Sequence, residues 1–489
     1  MLMALSMLLA GCMVGPDYKR PPVVQPAGFK SSPDSARDDP ARAEGSATAN
    51  GEAPLIAPEW WRLYREPELD RLIATAIASN QTLQQAVAAV DQARALARVA
   101  RSFLAPTISA DPTFTRQRTS ANRRSTITGQ PVGVSATFND WLVPVDLTYE
   151  LDVWGRIRRG LQSARAQAAA SADDEAMVRL MVQTDVAQFY YALRLLDAQT
   201  AILVRTVASY REQVRILSVQ VRTGLASPIV LSQAEALLQS TVAQQRDFER
   251  ARADQEHALA ILCGQPAPSF SVAVNPLGEV SPPEVPAGLP AMLLRRRPDV
   301  AAAEQTVVAA NAQIGVAKAA LYPTFSLASF VGFESANLST LGNWQSRVAS
   351  IIPGVTMPIF QGGRLKANLE ATRAIHRQMV AAYVNQVLIA YGDVEDALTD
   401  LHAYTDEVGA LRSAVTASEE YLRVAQVQYK IGLVDYLTVT DAERTLLTNQ
   451  LLLAQNANLQ IGASIHLIKA LGGGWEQQHG YPTSKELPY

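Results

Sequence analysis

The chain has 489 residues, 43 Lys+Arg against 46 Asp+Glu, a net charge of −3 and 48% hydrophobic residues. This near-balance excludes the basic footprint of a nucleic-acid binder and the acidic bias of a solvating tail. No apolar run reaches about 18 residues, which excludes a transmembrane helix and leaves membrane-crossing strands open.

Residues 1–11 read as a signal peptide built on an apolar stretch (Leu2, Leu5, Leu8, Leu9), with no Lys or Arg before it. The ending Leu9-Ala10-Gly11-Cys12 resembles a bacterial lipoprotein signal, in which the Cys is lipidated and becomes the mature N-terminus. Position 13 is Met, so the Asp that retains such lipoproteins at the inner membrane is missing. With Cys12 acylated, Cys263 has no partner for a disulfide. Residues 12–66 form an extended leader rich in Pro, Ser, Asp and Gly, with an apolar docking point at Trp60-Trp61-Arg62-Leu63-Tyr64.

Helical composition follows from about Glu68 to Leu104 and stops at Pro106. Residues 107–117 and 138–154 read as two strands around a polar loop. From Val143 to Val153 the odd positions are Val143, Val145, Leu147, Tyr149, Leu151 and Val153, while the even ones include Asp146, Thr148, Glu150 and Asp152. Period two predicts one apolar and one acidic face. A soluble sheet covered by helices satisfies this pattern. A membrane barrel with a water-filled lumen satisfies it too, and it also explains the row of acids. Two hairpins cannot close a barrel alone, so that reading requires other copies.

Leu161 to Thr223 contains neither Gly nor Pro, which predicts a helix over 157–223 reaching roughly 95 Å. The turn Thr223-Gly224-Leu225-Ala226-Ser227-Pro228 leads to a helix over 229–262, and residues 266–297 are a Pro-rich linker. The second half then repeats the first. Gly155-Arg156 returns as Gly363-Arg364, Asp185-Val186 as Asp393-Val394, and Gly224-Leu225 as Gly432-Leu433, each 208 residues on. The chain therefore divides into a first repeat over 67–265 and a second over 298–474, followed by a tail over 475–489. Stretches such as Ala164-Arg165-Ala166-Gln167-Ala168 are too poor in large apolar residues for a thick core. They suit a thin wall of close-packed helices or an ordinary antiparallel coiled coil, which periodicity does not separate.

These features together resemble one family. The residues that carry the match are the lipobox at Cys12, Glu284-Val285-Pro286-Ala287-Gly288-Leu289-Pro290 with Arg296-Arg297-Pro298-Asp299, Asp152-Val153-Trp154-Gly155-Arg156, Gly432-Leu433-Val434-Asp435-Tyr436-Leu437, and Lys469-Ala470-Leu471-Gly472-Gly473-Gly474-Trp475. The chain resembles the TolC-like outer membrane factors, and among them the OprM-like lipoproteins that serve resistance–nodulation–division drug pumps. The resemblance implies a mainly α fold with a small β part. It implies a homotrimer in which each chain lends four strands to a shared twelve-stranded outer-membrane barrel and its helices to a twelve-helix periplasmic cylinder. It further implies a lipid-anchored protein of the cell outer membrane, contacting outer-membrane lipid, with a periplasmic adaptor and an inner-membrane pump as partners. Asp146, Thr148, Glu150 and Asp152 would then face the barrel lumen.

The resemblance makes Gly224-Leu225 and Gly432-Leu433 the adaptor-docking tips, where spacing alone shows only helix-connecting loops. It places a periplasmic gate at Leu437, Asp441, Arg444 and Tyr429. Leu437, Asp441 and Arg444 lie along one helical face, where a plain surface ion pair is the simpler reading. Thr438 and Val434 stand where the TolC prototype has a second acid and a gate arginine, and the first turn offers Tyr429 no acid. A hydrophobic gate is expected. The five His are scattered without ligand spacing, and no phosphate loop or nucleophile motif is present. The sequence thus points to no enzyme, no metal, no nucleic-acid partner and no cofactor beyond the lipid on Cys12. A passive duct for drugs fits best. The same duct serving metal ions or proteins, or a pore-less coiled-coil tether, remains open.

Overall fold

The computed structural model describes residues 13–26, 28–31, 56–124, 133–278, 282–283, 285 and 295–476. The expected signal peptide, Cys12, parts of the leader and linker, and the end of the tail lie outside the described residues. The chain divides into two compact units. One takes Val90–Ala170 and Ala303–Tyr383 with the leader up to Pro21; the other takes Pro22–Ala89, Ser171–Ala302 and Val384–Tyr489.

The first unit holds an antiparallel sheet of β1 (Thr107–Ser109), β2 (Thr113–Arg118), β3 (Thr137–Leu151), β4 (Thr324–Ser335) and β5 (Arg347–Thr356). β1 and β2 both pair with β3, at Thr107↔Thr148 and Thr113↔Leu142, so they are one strand row interrupted between Ser109 and Thr113. The single strand expected over 107–117 is broken there because Pro112 has no N–H to give the ladder. β3 pairs with β4 from Trp141↔Ser335 to Leu151↔Phe325, and β4 with β5 from Thr324↔Thr356 to Phe333↔Arg347. Four rows result, and among the described residues neither β1/β2 nor β5 has a strand on its outer side.

Register decides the faces. Leu151, Phe325 and Val355 form one cross-strand row, and Val145, Val331 and Ala349 another. Asp146 and Glu150 fall on the opposite face, beside Phe330 and Ser326. Ile108, Phe114, Val145, Val331, Ile351 and Val355 are all exposed, so none of the described helices covers the apolar face.

β3 ends at Leu151 rather than at residue 154 because Asp152 turns to serve the next helix. Its carboxylate accepts from the backbone N–H of Ile157 (3.0 Å) and Arg158 (2.9 Å), satisfying orphan donors at the start of α3 (Arg156–Arg222). Trp154 stacks on Tyr322 at 4.8 Å, and its Nε1 donates to Pro323 O. The leader is strapped alongside: Val14 N–H donates to Trp154 O, Arg159 pairs with Asp17 at 2.9 Å, and Tyr18 and Arg20 both donate to Glu304.

The second unit packs its main core around the turn Trp60–Tyr64, which seats Trp60, Trp61 and Tyr64 against Leu69, Leu72, Ile73, Tyr190, Tyr191 and Leu259. Burying each large apolar side chain contributes about 1.5–3 kcal/mol. The apolar docking point expected of the leader is therefore a core element. The helix expected over 68–104 is two helices, α1 (Pro67–Ser79) and α2 (Gln81–Ser102). Asn80 breaks them with extended backbone: its Oδ1 accepts from Leu83 N–H while its Nδ2 donates to Leu262 O. Cys263 is buried and free.

α3 is paired in kind by α6 (Arg364–Lys430), and both have 67 residues. α4 (Pro228–Leu262) is matched by α7 (Tyr436–Ala470), both of 35 residues. Between them runs α5 (Pro298–Ala319), an Ala-rich helix that ends two residues before the expected 321. Among the described residues no helix is long and apolar enough to cross a membrane.

Candidate gate at the helix turns

Two turns in the second unit are built alike. Gly224 and Gly432 both hold φ +76°, left-handed backbone that only glycine adopts without strain. Gly224 N–H donates to Val221 O and Leu225 N–H to Gln220 O; Gly432 N–H donates to Tyr429 O and Leu433 N–H to Gln428 O. This paired pattern closes the last carbonyls of α3 and α6. The next helix is capped at once, by Ser227 Oγ accepting from Ile229 N–H and by Asp435 accepting from Thr438 N–H. A hydrophobic residue at the Leu225 position normally folds back on its helix. Here Leu225 is 79% and Leu433 70% exposed, with Ile229 and Leu437 also exposed beside them.

Around the second turn, Tyr429 meets Tyr436 edge-on at 5.8 Å. Both pack with Leu217 and Val214 of α3 and Val230, Leu231 and Ala234 of α4. Tyr429 thus has an aromatic and aliphatic setting. Asp441 accepts from Tyr421 Oη of α6 at 3.2 Å. This tyrosine–carboxylate bond uses a tyrosine about two helical turns before the one singled out by the sequence. Asp441 and Arg444 are both exposed and, among the described residues, form no ion pair with each other. Leu437, Asp441 and Arg444 are brought to one end of α7, and all three leave polar or apolar tips in solvent.

Sequence reasoning missed a buried cluster nearby. Gln213 of α3 accepts from Tyr436 Oη at 2.8 Å and donates through Nε2 to Glu443 Oε1. Burial pushes the Glu443 carboxyl up to about 7 against the smaller, opposite effect of the Gln213 N–H, and burial likewise raises the Tyr436 phenol. The repeat concealed it: the residue 208 positions earlier, Glu235, is exposed on α4.

In the first unit, the four expected lumen residues divide. Asp146 and Thr148 stay on the polar face of β3, beside Phe330 and Ala328. Glu150 pairs with Arg156 at 2.7 Å, and Asp152 caps α3 and pairs with Arg158.

The pattern of the outer membrane efflux protein family matches residues 72–265 and 289–473. The toluene efflux pump outer membrane protein TtgF of Pseudomonas putida is 32% identical over 487 residues, covering 99% of this chain and 98% of that one. The cation efflux system protein CusC of Escherichia coli is 29% identical, covering 96% and 98%. The open-state structure of the MtrE outer membrane channel of Neisseria gonorrhoeae superposes with a TM-score of 0.81 at 28% identity, covering 95% of this chain and 98% of that one. The fold is TolC-like, mainly helical with a small antiparallel sheet, and defines an outer-membrane efflux channel. The chain belongs to the outer membrane efflux protein family.

Proposed function

We propose that three copies of this chain form the gated, passive outer-membrane duct of a tripartite efflux pump that exports small organic molecules, including drugs. A periplasmic adaptor docks on the two glycine turns, and an inner-membrane resistance–nodulation–division pump supplies energy. The observation that carries this reading is the matched pair of turns, each presenting two large apolar side chains to solvent: Leu225 with Ile229 and Leu433 with Leu437. Such a pair suits the apolar edge of a partner's helical hairpin.

The sheet supports the trimer. Among the described residues it has an uncovered apolar face and two open edges, and in lipid only a closed barrel satisfies strand edges. The polar face with Asp146 and Thr148 lines the lumen. Leu437 and Asp441 form rings at the constriction, and Arg444 pairs across to a neighbouring copy. Cys12 carries the lipid anchor. Met13 packs against Gly155 just past the end of β3. Organic cargo is favoured over cations by the more similar of the two relatives above, which is named for toluene.

The test is capture of the cognate adaptor by the purified trimer carrying Leu225→Asp and Leu433→Asp together. The expected result is loss of capture with the trimer intact. Capture equal to that of the unaltered chain contradicts the docking role.

A further inference from the structure

The contact between α3 and α7 holds polar atoms that neither the turns nor the gate residues use. Glu443 is 6% exposed and Tyr210 of α3 is 2% exposed. Glu443 Oε1 takes the Gln213 N–H, but Glu443 Oε2 and Tyr210 Oη are both buried without a partner among the described residues. The two residues line one cavity of about 210 Å³, together with Ile202, Arg205, Leu446 and Gln450. An unpaired buried oxygen is unfavourable, and a charged one far more so.

The groups facing Glu443 do not neutralise it. From α3 come Arg205 at the exposed rim of the cavity and Tyr210; from α6 comes Tyr429, which reaches the cluster through Tyr436; from α7 come Tyr436 and the exposed Arg444. α4 sets Val230, Leu231 and Ala234 against Tyr436. Among the described residues neither arginine forms an ion pair with Glu443.

We propose that Glu443 is a proton-binding latch: protonated, it holds α7 against α3 and keeps the gate shut, and ionised, it draws water into the cavity and lets α7 move. This rests on the reading of the start of α7 as the gate. In the protonated form a small side-chain adjustment lets Oε2–H donate to Tyr210 Oη, so both orphaned atoms gain partners. In the ionised form the Tyr210 hydroxyl can give Oε2 one hydrogen bond, which does not replace the water shell of a buried anion, and hydrating it fully requires α3 and α7 to separate.

The direction follows from linkage. With α3 and α7 packed as in this structure, which we equate with the closed form, burial pushes the carboxyl up to about 7; once hydrated with the helices apart it returns toward its ordinary 4.5. The closed form therefore binds more protons. Its advantage from this group is complete below about 4.5, falls as pH rises from there to about 7, and is flat above. Three latches act in one trimer, so opening rises steeply over that window.

The test is open probability of the full-length trimer in planar bilayers between about pH 5 and 8. One latch alone shifts the opening equilibrium roughly seventyfold between these limits, so the unaltered chain is expected to open at least about fiftyfold more often at the upper end. Glu443→Gln, which keeps the shape and the bond to Gln213, should flatten the profile to less than about a twofold change. Gln213→Leu removes the N–H that favours the anion, so its midpoint should move to higher pH. This variant carries the test if Glu443→Gln does not assemble as a trimer on a native gel. Glu235→Gln, which neutralises the exposed carboxylate at the equivalent position of α4, should retain the pH response. The latch is overturned by a Glu443→Gln profile that tracks the unaltered chain, by an unmoved midpoint in Gln213→Leu, or by a response lost in Glu235→Gln. A trimer that conducts at no pH refutes the duct reading itself, and the latch with it.

Discussion

Replacing Gly432 separates the backbone role of the second turn from its side-chain role. Its φ of +76° lies in the left-handed region, and a Cβ placed there would meet nothing within 4 Å. Gly432→Ala therefore encounters no clash and loses only about 1–2 kcal/mol from the backbone conformation. Gly432→Pro is different in kind. It forces φ to a negative value and deletes the N–H that donates to Tyr429 O at 3.0 Å, at a cost of about 3 kcal/mol or more. If the adaptor binds the turn as it is folded, affinity should fall about tenfold for Ala and more than about a hundredfold for Pro. Gly432→Asn should fall between the unaltered chain and Ala, since Asn tolerates this region best after Gly. The assay is adaptor affinity measured on detergent-purified trimers, with thermal unfolding followed in parallel. The melting of the body should barely change, because nothing in the core touches this Cβ position. Equal affinity for all four forms refutes the reasoning. Equal losses for Ala and Pro refute it too, because they would point to steric contact rather than backbone conformation.

Asp152→Ala removes the acceptor for two backbone N–H groups and the partner of Arg158, so it should cost about 0.5–2 kcal/mol, read as a lower melting temperature; an unchanged value means α3 does not need that cap. Glu304→Ala removes a fully buried carboxylate that receives Tyr18 and both arms of Arg20. Discounted for the partly exposed Arg20, the loss is roughly 1–3 kcal/mol, and limited proteolysis should cut the leader faster than in the unaltered chain. Cys263, buried and with its thiol pushed up to about 11 by burial, should resist maleimide at pH 8 in the native trimer and react fully once unfolded; rapid native labelling contradicts its place in the core.

The parts of the fold that depend on the chain's own local chemistry were legible. The uninterrupted run from Leu161 to Thr223 and the glycines at 224 and 432 placed α3, its turn and its echo to within a residue. Alternation along β3 placed Asp146 and the valines on opposite faces, because period two is a property of one strand. What was not legible depends on partners distant in sequence. Asn80 ends a helix because Leu262 offers it a carbonyl. Asp152 is a cap as much as a strand residue, and no periodicity separates the two. Tyr421, not Tyr429, reaches Asp441, since the level at which a tyrosine meets α7 turns on how α6 and α7 pack. Glu443 shares its place in the repeat with the exposed Glu235, so the repeat does not reveal that it is buried beside Gln213 of α3.

In the proposed duct the first turns of α7 close the passage. Single-channel conductance of the trimer carrying Asp441→Ala and Arg444→Ala together, in planar bilayers at neutral pH, tests it most directly. The account predicts a conductance above that of the unaltered chain, because the carboxylate that holds Tyr421 and the cation beside it are both gone. A conductance equal to that of the unaltered chain would contradict it.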